Sequence, residues 1–359
     1  MTLFGDAYRG RRVLITGHTG FKGSWLALWL DNLGAIVTGV SLPAATTPSH
    51  WGQLGLGFNE YSQDIRDAGA LAEQVAASRP EIVFHLAAQS LVRKSYADPL
   101  GTWSTNVMGT ANVLDACRHV RSVRAVVVVT TDKCYENHEW PWGYRENDRL
   151  GGRDAYSASK SGAELVAASY RRAFFADTDS PLIATARAGN VIGGGDWAED
   201  RLIPDLARAC ASNKPLAIRS PAATRPWQHV LDCLSAYLVL GAKLLAGQRD
   251  FGDAWNIGPR SDDNWPVSAV LDAMRVHWPG LQWEISTEAH PPEAGMLYLD
   301  SSKARSQLGW RPVWTLAEAL EKTASWYQEF TTSGSILSRA QLARYVDTAT
   351  RAGVDWARQ

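Results

Sequence analysis

The chain has 359 residues, 45% hydrophobic and 20% charged, enough for one large α/β domain or one domain carrying a second lobe. A formal net charge of −1 excludes a global basic field for nucleic acid or an anionic membrane, so a phosphate-bearing ligand requires a local site. Four scattered cysteines without a CxxC pair, and eight histidines without HxxxH or HExxH spacing, argue against a disulfide scaffold or a metal site and suit a reducing cytoplasm.

In chain order, MTLFGDAYRGRR lacks an apolar core with a small-residue cleavage site, so no signal peptide is expected. RRVLITG reads as a strand and FKGSWLALWLDNLG as a helix with apolar residues at helical spacing and Gly34 near its end. IVTGVSL is a second strand, followed by a loop rich in Pro, Ala, Thr and Gly and a short third strand. Residues 67–78 read as a helix, EIVFHLAA as a strand, 105–119 as a helix, AVVVVTT as a strand and 155–175 as a long helix. Apolar strands alternating with helices predict right-handed βαβ units, hence a Rossmann-type, doubly wound parallel sheet in the α/β class. After IATARAGNVIGGG the alternation weakens into short strand candidates (LAIR, AWNIG, QWEIS), helices and Pro-rich loops. This predicts a Rossmann domain over 1–187 and a smaller C-terminal α/β substrate-binding lobe over 188–359, with segments near 225–258 returning to the first. No apolar run reaches a membrane span; the longest candidate, near Ala236, is interrupted by Lys243. Of the sixteen tryptophans, Trp25 and Trp29 read as packing, while Trp103, Trp140, Trp142 and Trp227 lie beside polar clusters and could stack on a base or sugar ring.

Gly17, Gly20 and Gly23 form GHTGFKG directly after the first strand. Glycines there let the backbone turn tightly and approach a pyrophosphate, whose charge meets the helix N-terminus. The spacing is GxxGxxG, the form used by short-chain dehydrogenases. The second strand ends Val40-Ser41-Leu42, with neither the acid that holds ribose hydroxyls nor an arginine, so NAD and NADP stay undistinguished at this level. Asp64 and Ile65 are candidates for an adenine contact, Asp64 alternatively for a helix cap.

Within YSASK, Tyr156 and Lys160 are four apart and share a helical face. The ammonium is expected to favour the phenolate, lower the Tyr156 pKa and make it a general base. The apolar strand AVVVVTT opens into Thr131, Asp132 and Lys133, at the strand end where open α/β sheets bind ligands, although Thr and Asp are also ordinary turn residues. A hydroxyl, a phenol and a lysine are the parts for removing a proton from a substrate alcohol while hydride leaves to a nicotinamide. Asn106 in STNVMGT and Ala87-Ala88 in HLAAQS complete the pattern of an extended short-chain dehydrogenase/reductase. Arg187, Arg201, Arg219 and Arg225 supply local positive charge, and RPWQHV sets Arg225 among groups suited to a diphosphate and a base.

Through GHTGFKGSWL, TTDKCYENHEWPWGYREND, YSASK, RAGNVIGGGDW, RPWQHVL and HPPEAGMLYLDSSKA, nearly the whole chain resembles the CDP-glucose 4,6-dehydratases. The resemblance implies a cytoplasmic NAD enzyme that converts CDP-D-glucose to CDP-4-dehydro-6-deoxy-D-glucose, a precursor of deoxy sugars in surface polysaccharides such as lipopolysaccharide O-antigen. It implies that Thr19, Phe21, Leu86, Ala87, Ala88 and Asn106 join the glycines, Asp64, Ile65, Tyr156 and Lys160 around the cofactor. On the substrate side it implies Gln89, Asn190, Arg201, Arg219, Arg225, His229 and Asn256. Relatives pair through the helices equivalent to 105–119 and 155–175, implying a homodimer or homotetramer, with no nucleic-acid, membrane or metal partner.

The same resemblance implies the chemistry. Thr131 and Tyr156 polarise the C4 hydroxyl, and Tyr156 takes its proton as hydride passes from C4 to NAD+. The ketone acidifies C5; loss of that proton and of the C6 hydroxyl as water gives an enone, and hydride returns to C6. Asp132 and Lys133 flank C5 and C6. The dTDP-glucose dehydratases carry Asp-Glu at this pair, so Lys133 favours the CDP-linked family and leaves open which group takes the C5 proton. A nucleotide-sugar 4-epimerase would share Tyr156, Lys160 and the glycines without needing Asp132 beside Lys133. A non-catalytic nicotinamide-sensing protein on this fold would be expected to lack the tyrosine.

Overall fold

The computed structural model describes residues 2–287 and 294–358; residues 290–293 of the HPPEAGMLYLDSSKA string therefore lie outside the described residues. In chain order its strands are β1 (Arg12–Thr16), β2 (Ile36–Ser41), β3 (Asn59–Ser62), β4 (Ile82–His85), β5 (Ala125–Thr131), β6 (Leu182–Ala188), β7 (Asn190–Ile192), β8 (Leu216–Ile218), β9 (Thr224–His229), β10 (Ala254–Ile257), β11 (Asn264–Pro266) and β12 (Trp283–Ile285). Seven of them form one sheet in the order β10-β6-β5-β4-β1-β2-β3, every neighbouring pair parallel. The chain begins at β1, runs out to the β3 edge, then crosses back to β4 and builds the other half. The reversal between β1 and β4 is the topological switch point, where sheets of this kind bind ligands beyond their carboxyl ends.

The strand sequences explain why both faces are covered. All seven residues of β5 are buried. Ala125, Val127 and Val129 enter one apolar cluster, Val126 and Val128 the other, because side chains alternate along a strand. The Phe21–Asn32 and Val230–Leu245 helices pack into the first cluster. Leu71 and Val75 of the Ala68–Ser78 helix, Val113 and Leu114 of Gly109–Arg118, and Ala167 of Ala155–Ala173 pack into the second. Trp25 and Trp29 are fully buried. Lys243 interrupts an apolar sequence but not its helix, setting its ammonium 5.4 Å from the Phe251 ring centroid.

Two elements differ from the sequence reading. The helix expected over 105–119 begins earlier: Pro99–Trp103, capped by Asp98 accepting from the Gly101 amide at 2.9 Å, passes through a π-helical turn (Ser104–Met108) into Gly109–Arg118. The RPWQHV segment is largely strand β9, the centre of a three-stranded sheet ordered β11-β9-β7, while β8 pairs with β12. Within 225–258, β10 joins β6 in the main sheet and the Val230–Leu245 helix packs on β5 and β6, but β9 stays outside it. Among the described residues no helix is long and apolar enough to cross a membrane, and no His, Cys, Asp and Glu cluster could hold a metal.

Candidate active site

Between β1 and the Phe21–Asn32 helix the backbone turns through Gly17 at φ +78°. A Cβ there would lie 2.6 Å from the Ala87 nitrogen, and one on Gly23 would strike the Gly17 carbonyl oxygen. β1, the loop after β4 and the helix thus approach to a distance that only glycine permits. Gly20 is the N-cap and has no side chain to occupy the first amides of the helix, next to Phe21. Open N–H groups above a cradle that a Cβ would fill fit the pyrophosphate of a dinucleotide.

Around this turn, Thr19 donates to the Leu42 carbonyl at 2.9 Å, so Ser41, 2.7 Å away, donates to Thr19. Paired hydroxyls stand where a ribose-binding acid is absent. The Leu86 and Ala87 amides donate to Thr16 O and Oγ1 at 3.0 and 3.3 Å, placing Leu86 and Ala87 against Gly17, with Ala88 next in the chain. Asn106, buried, donates to Gln89 O (3.0 Å) and Ser159 Oγ (2.8 Å) and accepts from Gln89 N (2.8 Å), tying that loop to the Ala155–Ala173 helix. Ile65 is buried against Gly109, and its carbonyl accepts from Asn112 at 2.9 Å. The Asp64 carboxylate takes Arg66 at 2.6 Å, which holds it below the usual carboxylate range. Asp67, not Asp64, caps the next helix.

At the end of β5, Thr131 donates to Asp132 Oδ1 at 3.0 Å and accepts from the Lys133 amide at 3.3 Å. Asp132 is 1% exposed, and its Oδ2 has no hydrogen-bond partner among the described residues. Burial raises its pKa, opposed by the charge of Lys133, the Thr131 hydrogen bond, and the charges of Arg225 and Lys22. Such a carboxyl keeps its proton to a higher pH than an exposed one.

Tyr156 sits on the first turn of Ala155–Ala173, which Asp154 caps by accepting from Ser157 N at 2.9 Å. Burial pushes the phenol up to about 12, against the Thr131 hydrogen bond and the charge of Arg201. The expected lowering by Lys160 is therefore corrected: desolvation outweighs the cations. Lys160 donates instead to the Val129 carbonyl at 3.2 Å, and burial together with Lys22 brings it down to about 8.

On the substrate side, Arg201 bonds Asp196 at 2.9 Å and Ser90 at 3.1 Å. Arg219 lies 3.7 Å from Asp200, which also takes Arg93 at 2.5 Å. Arg225 is buried within reach of Asp132, and Asn190 opens β7 opposite Trp227. Four of the polar groups singled out in the sequence also have partners within the protein. The Gln89 side chain shapes its own loop, donating to Leu91 O and Thr102 Oγ1 at 3.0 Å and accepting from Leu91 N at 2.7 Å. Asn256, fully buried, accepts from Tyr135 OH (2.6 Å) and donates to Tyr144 O (2.8 Å) and Asp300 O (3.0 Å). His229 is fully buried with Nδ1 accepting from Leu231 N at 3.2 Å and its ring 4.7 Å from Trp314. Arg187 is interior too, 2.9 Å from Glu164. At these four positions packing gives the side chain a protein partner, while His229 Nε2 and Arg187 Nε have none among the described residues. Trp227 is buried as well, whereas Trp142 and Trp103 remain exposed.

Sequence reasoning passed over Lys22, whose charge reaches both Asp132 and Lys160, although it stands inside GHTGFKG. It also passed over Glu164, whose one signal was its place four residues after Lys160, on the same helical face.

The family model described as NAD dependent epimerase/dehydratase family matches residues 13–258. The chain belongs to this family. As an epimerase/dehydratase family member it uses NAD, which settles the cofactor that the end of β2 had left open. A CDP-glucose 4,6-dehydratase of Salmonella typhimurium is 47% identical over 96% of this chain and 98% of its own. A UDP-glucose 4-epimerase of Mycolicibacterium smegmatis is 29% identical over 88% of this chain and 98% of its own. The dTDP-glucose 4,6-dehydratase of Streptomyces venezuelae, solved with NAD bound, matches with a TM-score of 0.73 at 26% identity, covering 89% of this chain and 97% of that one.

Proposed function

We propose that this family member is a hydro-lyase that dehydrates CDP-D-glucose to CDP-4-dehydro-6-deoxy-D-glucose. The observation that carries the reading is the end of β5: a buried carboxyl whose pKa burial raises, beside a lysine, a hydroxyl and a buried phenol. A 4-epimerase needs the phenol and hydroxyl but no acid for a leaving group. The 47% identity to a CDP-glucose 4,6-dehydratase supports the same choice.

Gly17, Gly20, Gly23, the loop held by Asn106, and Lys160 would hold NAD. When bound, NAD would supply a cationic nicotinamide ring as the hydride acceptor for C4 and, once reduced, the hydride donor for C6. The chain supplies the proton handling. Thr131 and Tyr156 take the C4 hydroxyl between them, and Tyr156 would remove its proton once the positive charge of bound NAD offsets the burial that holds the phenol at about 12. Lys133 removes the proton from C5 once C4 is a ketone. Asp132 delivers a proton to the departing C6 hydroxyl, a task its raised pKa suits. Arg201, Arg219, Arg225 and Asn190 face the diphosphate and base. The product would feed deoxy-sugar synthesis for lipopolysaccharide, and the unpaired cysteines suit a cytoplasmic setting. Leu100, Trp103, Met108 and Leu165 leave an apolar face on the Pro99–Trp103, Ser104–Met108 and Ala155–Ala173 segments, which a second copy would cover in a homodimer or homotetramer.

Mass spectrometry of products from CDP-, UDP- and dTDP-glucose tests the reading. Water loss with CDP-glucose is expected; equal water loss from all three removes the CDP assignment, and an isomer of unchanged mass removes the dehydratase.

A further inference from the structure

Beneath the strand end lies a buried charge pair that the chemistry does not use. Glu164 is 3% exposed and Arg187 is 4% exposed. Glu164 Oε1 accepts from Thr130 Oγ1 at 2.5 Å; its Oε2 accepts from Thr185 Oγ1 at 2.8 Å and from Arg187 Nη2 at 2.9 Å. Arg187 Nη1 donates to Tyr135 OH at 2.8 Å and to the Glu146 carbonyl at 3.0 Å. The Tyr135 hydroxyl donates onward to Asn256 on β10.

The bonds join the segments that carry the reacting groups. Glu164 lies four residues beyond Lys160 and eight beyond Tyr156 on one helix. Thr130 directly precedes Thr131, and Tyr135 follows the turn that bears Asp132 and Lys133. One carboxylate and one guanidinium thus tie the helix of the phenol to the strand end of the hydroxyl and the acid.

Stability is a weak reason for this arrangement. β5 and β6 are already paired along their length, from Ala125 with Leu182 to Thr131 with Ala188. An apolar pair of similar volume in such a place is often neutral or stabilising, because desolvating two charges offsets their attraction. What the ions add is direction. Apolar contacts leave a helix free to slide or rotate slightly on a sheet; a carboxylate bonded to two strands does not.

We propose that Glu164 and Arg187 are positioning residues that set Tyr156 and Lys160 against Thr131 and Asp132. The proposal rests on the dehydratase reading for the identity of the step it affects. The double variant Glu164→Leu with Arg187→Met replaces the ions without leaving a lone buried charge. It should fold, keep the KM for CDP-glucose within about threefold and lose roughly 100-fold in kcat, the scale set by a displacement of about 1 Å at reacting groups. Tyr135→Phe keeps the ion pair and removes only the hydroxyl that joins it to β10; its kcat should fall on the order of tenfold at unchanged KM. It carries the test if the double variant does not fold. Wild-type kcat in either folded variant overturns the proposal. So does a fall in kcat that merely tracks the folded fraction seen by circular dichroism. Absence of water loss in the wild type sinks the dehydratase reading separately; positioning is then read from the rate at which the variants reduce NAD with whichever nucleotide sugar the wild type oxidises.

Discussion

Asp132→Asn removes a proton donor while leaving its shape. The carboxyl is 1% exposed, and its Oδ1 accepts the Thr131 hydroxyl at 3.0 Å. An asparagine carbonyl keeps that bond, and its amide nitrogen takes the place of Oδ2, which has no partner among the described residues. The geometry survives, but the proton for the C6 hydroxyl does not. Positioned acids contribute about 10²–10⁴ in rate. Water loss should therefore slow by roughly 10³, on the order of 4 kcal/mol of barrier. Stability should move the other way. Burial holds the Asp132 pKa above its unfolded value, so this group's contribution is present at low pH and declines as pH rises through the folded value. Asparagine never ionises, so above that range the variant should melt no lower than the wild type. The assay follows turnover in deuterium oxide by mass spectrometry alongside the absorbance of reduced cofactor. Asp132→Asn should keep C4 oxidation and some exchange at C5 while losing water elimination. Lys133→Ala should keep C4 oxidation and stop the exchange. Turnover of Asp132→Asn within about tenfold of wild type would refute the acid role, since that lies below the usual contribution of such a group. Exchange at the normal rate in Lys133→Ala would move the C5 base elsewhere.

Tyr156→Phe should bind NAD and CDP-glucose normally and lose the first oxidation; cofactor reduction at the wild-type rate in a single turnover would rule the phenol out as base. Gly17→Ala forces a Cβ into φ +78° and to 2.6 Å from the Ala87 nitrogen. Strain of roughly 1–2 kcal/mol before any clash should weaken NAD about tenfold or more by calorimetry, and undiminished affinity would mean that the turn does not cradle the cofactor. Leu100→Glu with Leu165→Glu should shift the light-scattering mass from a dimer or tetramer towards a monomer; a monomeric wild type at micromolar concentration removes the proposed interface. Burial pushes His50, His85 and His229 from 6.5 to about 3. The unfolded chain alone protonates them between those values, so stability is full above pH 6.5 and falls with acid by about 1.4 kcal/mol per pH unit for each ring. His50→Gln should flatten the urea midpoint across that window, and a slope parallel to the wild type would contradict the argument.

Local pattern was enough for much of this. AVVVVTT is apolar at successive positions, and a strand with two apolar faces must be covered on both. GHTGFKG and YSASK were legible because a tight glycine turn and one helical face are properties of adjacent residues. The partners of long polar side chains were not legible. Arg187, Asn256, His229 and Gln89 read as groups able to bind a ligand, and the same atoms serve equally to bond a buried glutamate, a tyrosine or a loop. Which they meet depends on strands far apart in the chain: β10 pairs with β6 although β7, β8 and β9, which intervene in sequence, lie in other sheets. The sign of the Tyr156 shift was settled in the same way. Spacing sets Lys160 one turn from the phenol, but desolvation is the work of every element that closes over the site, and here it exceeds the pull of the nearby cations.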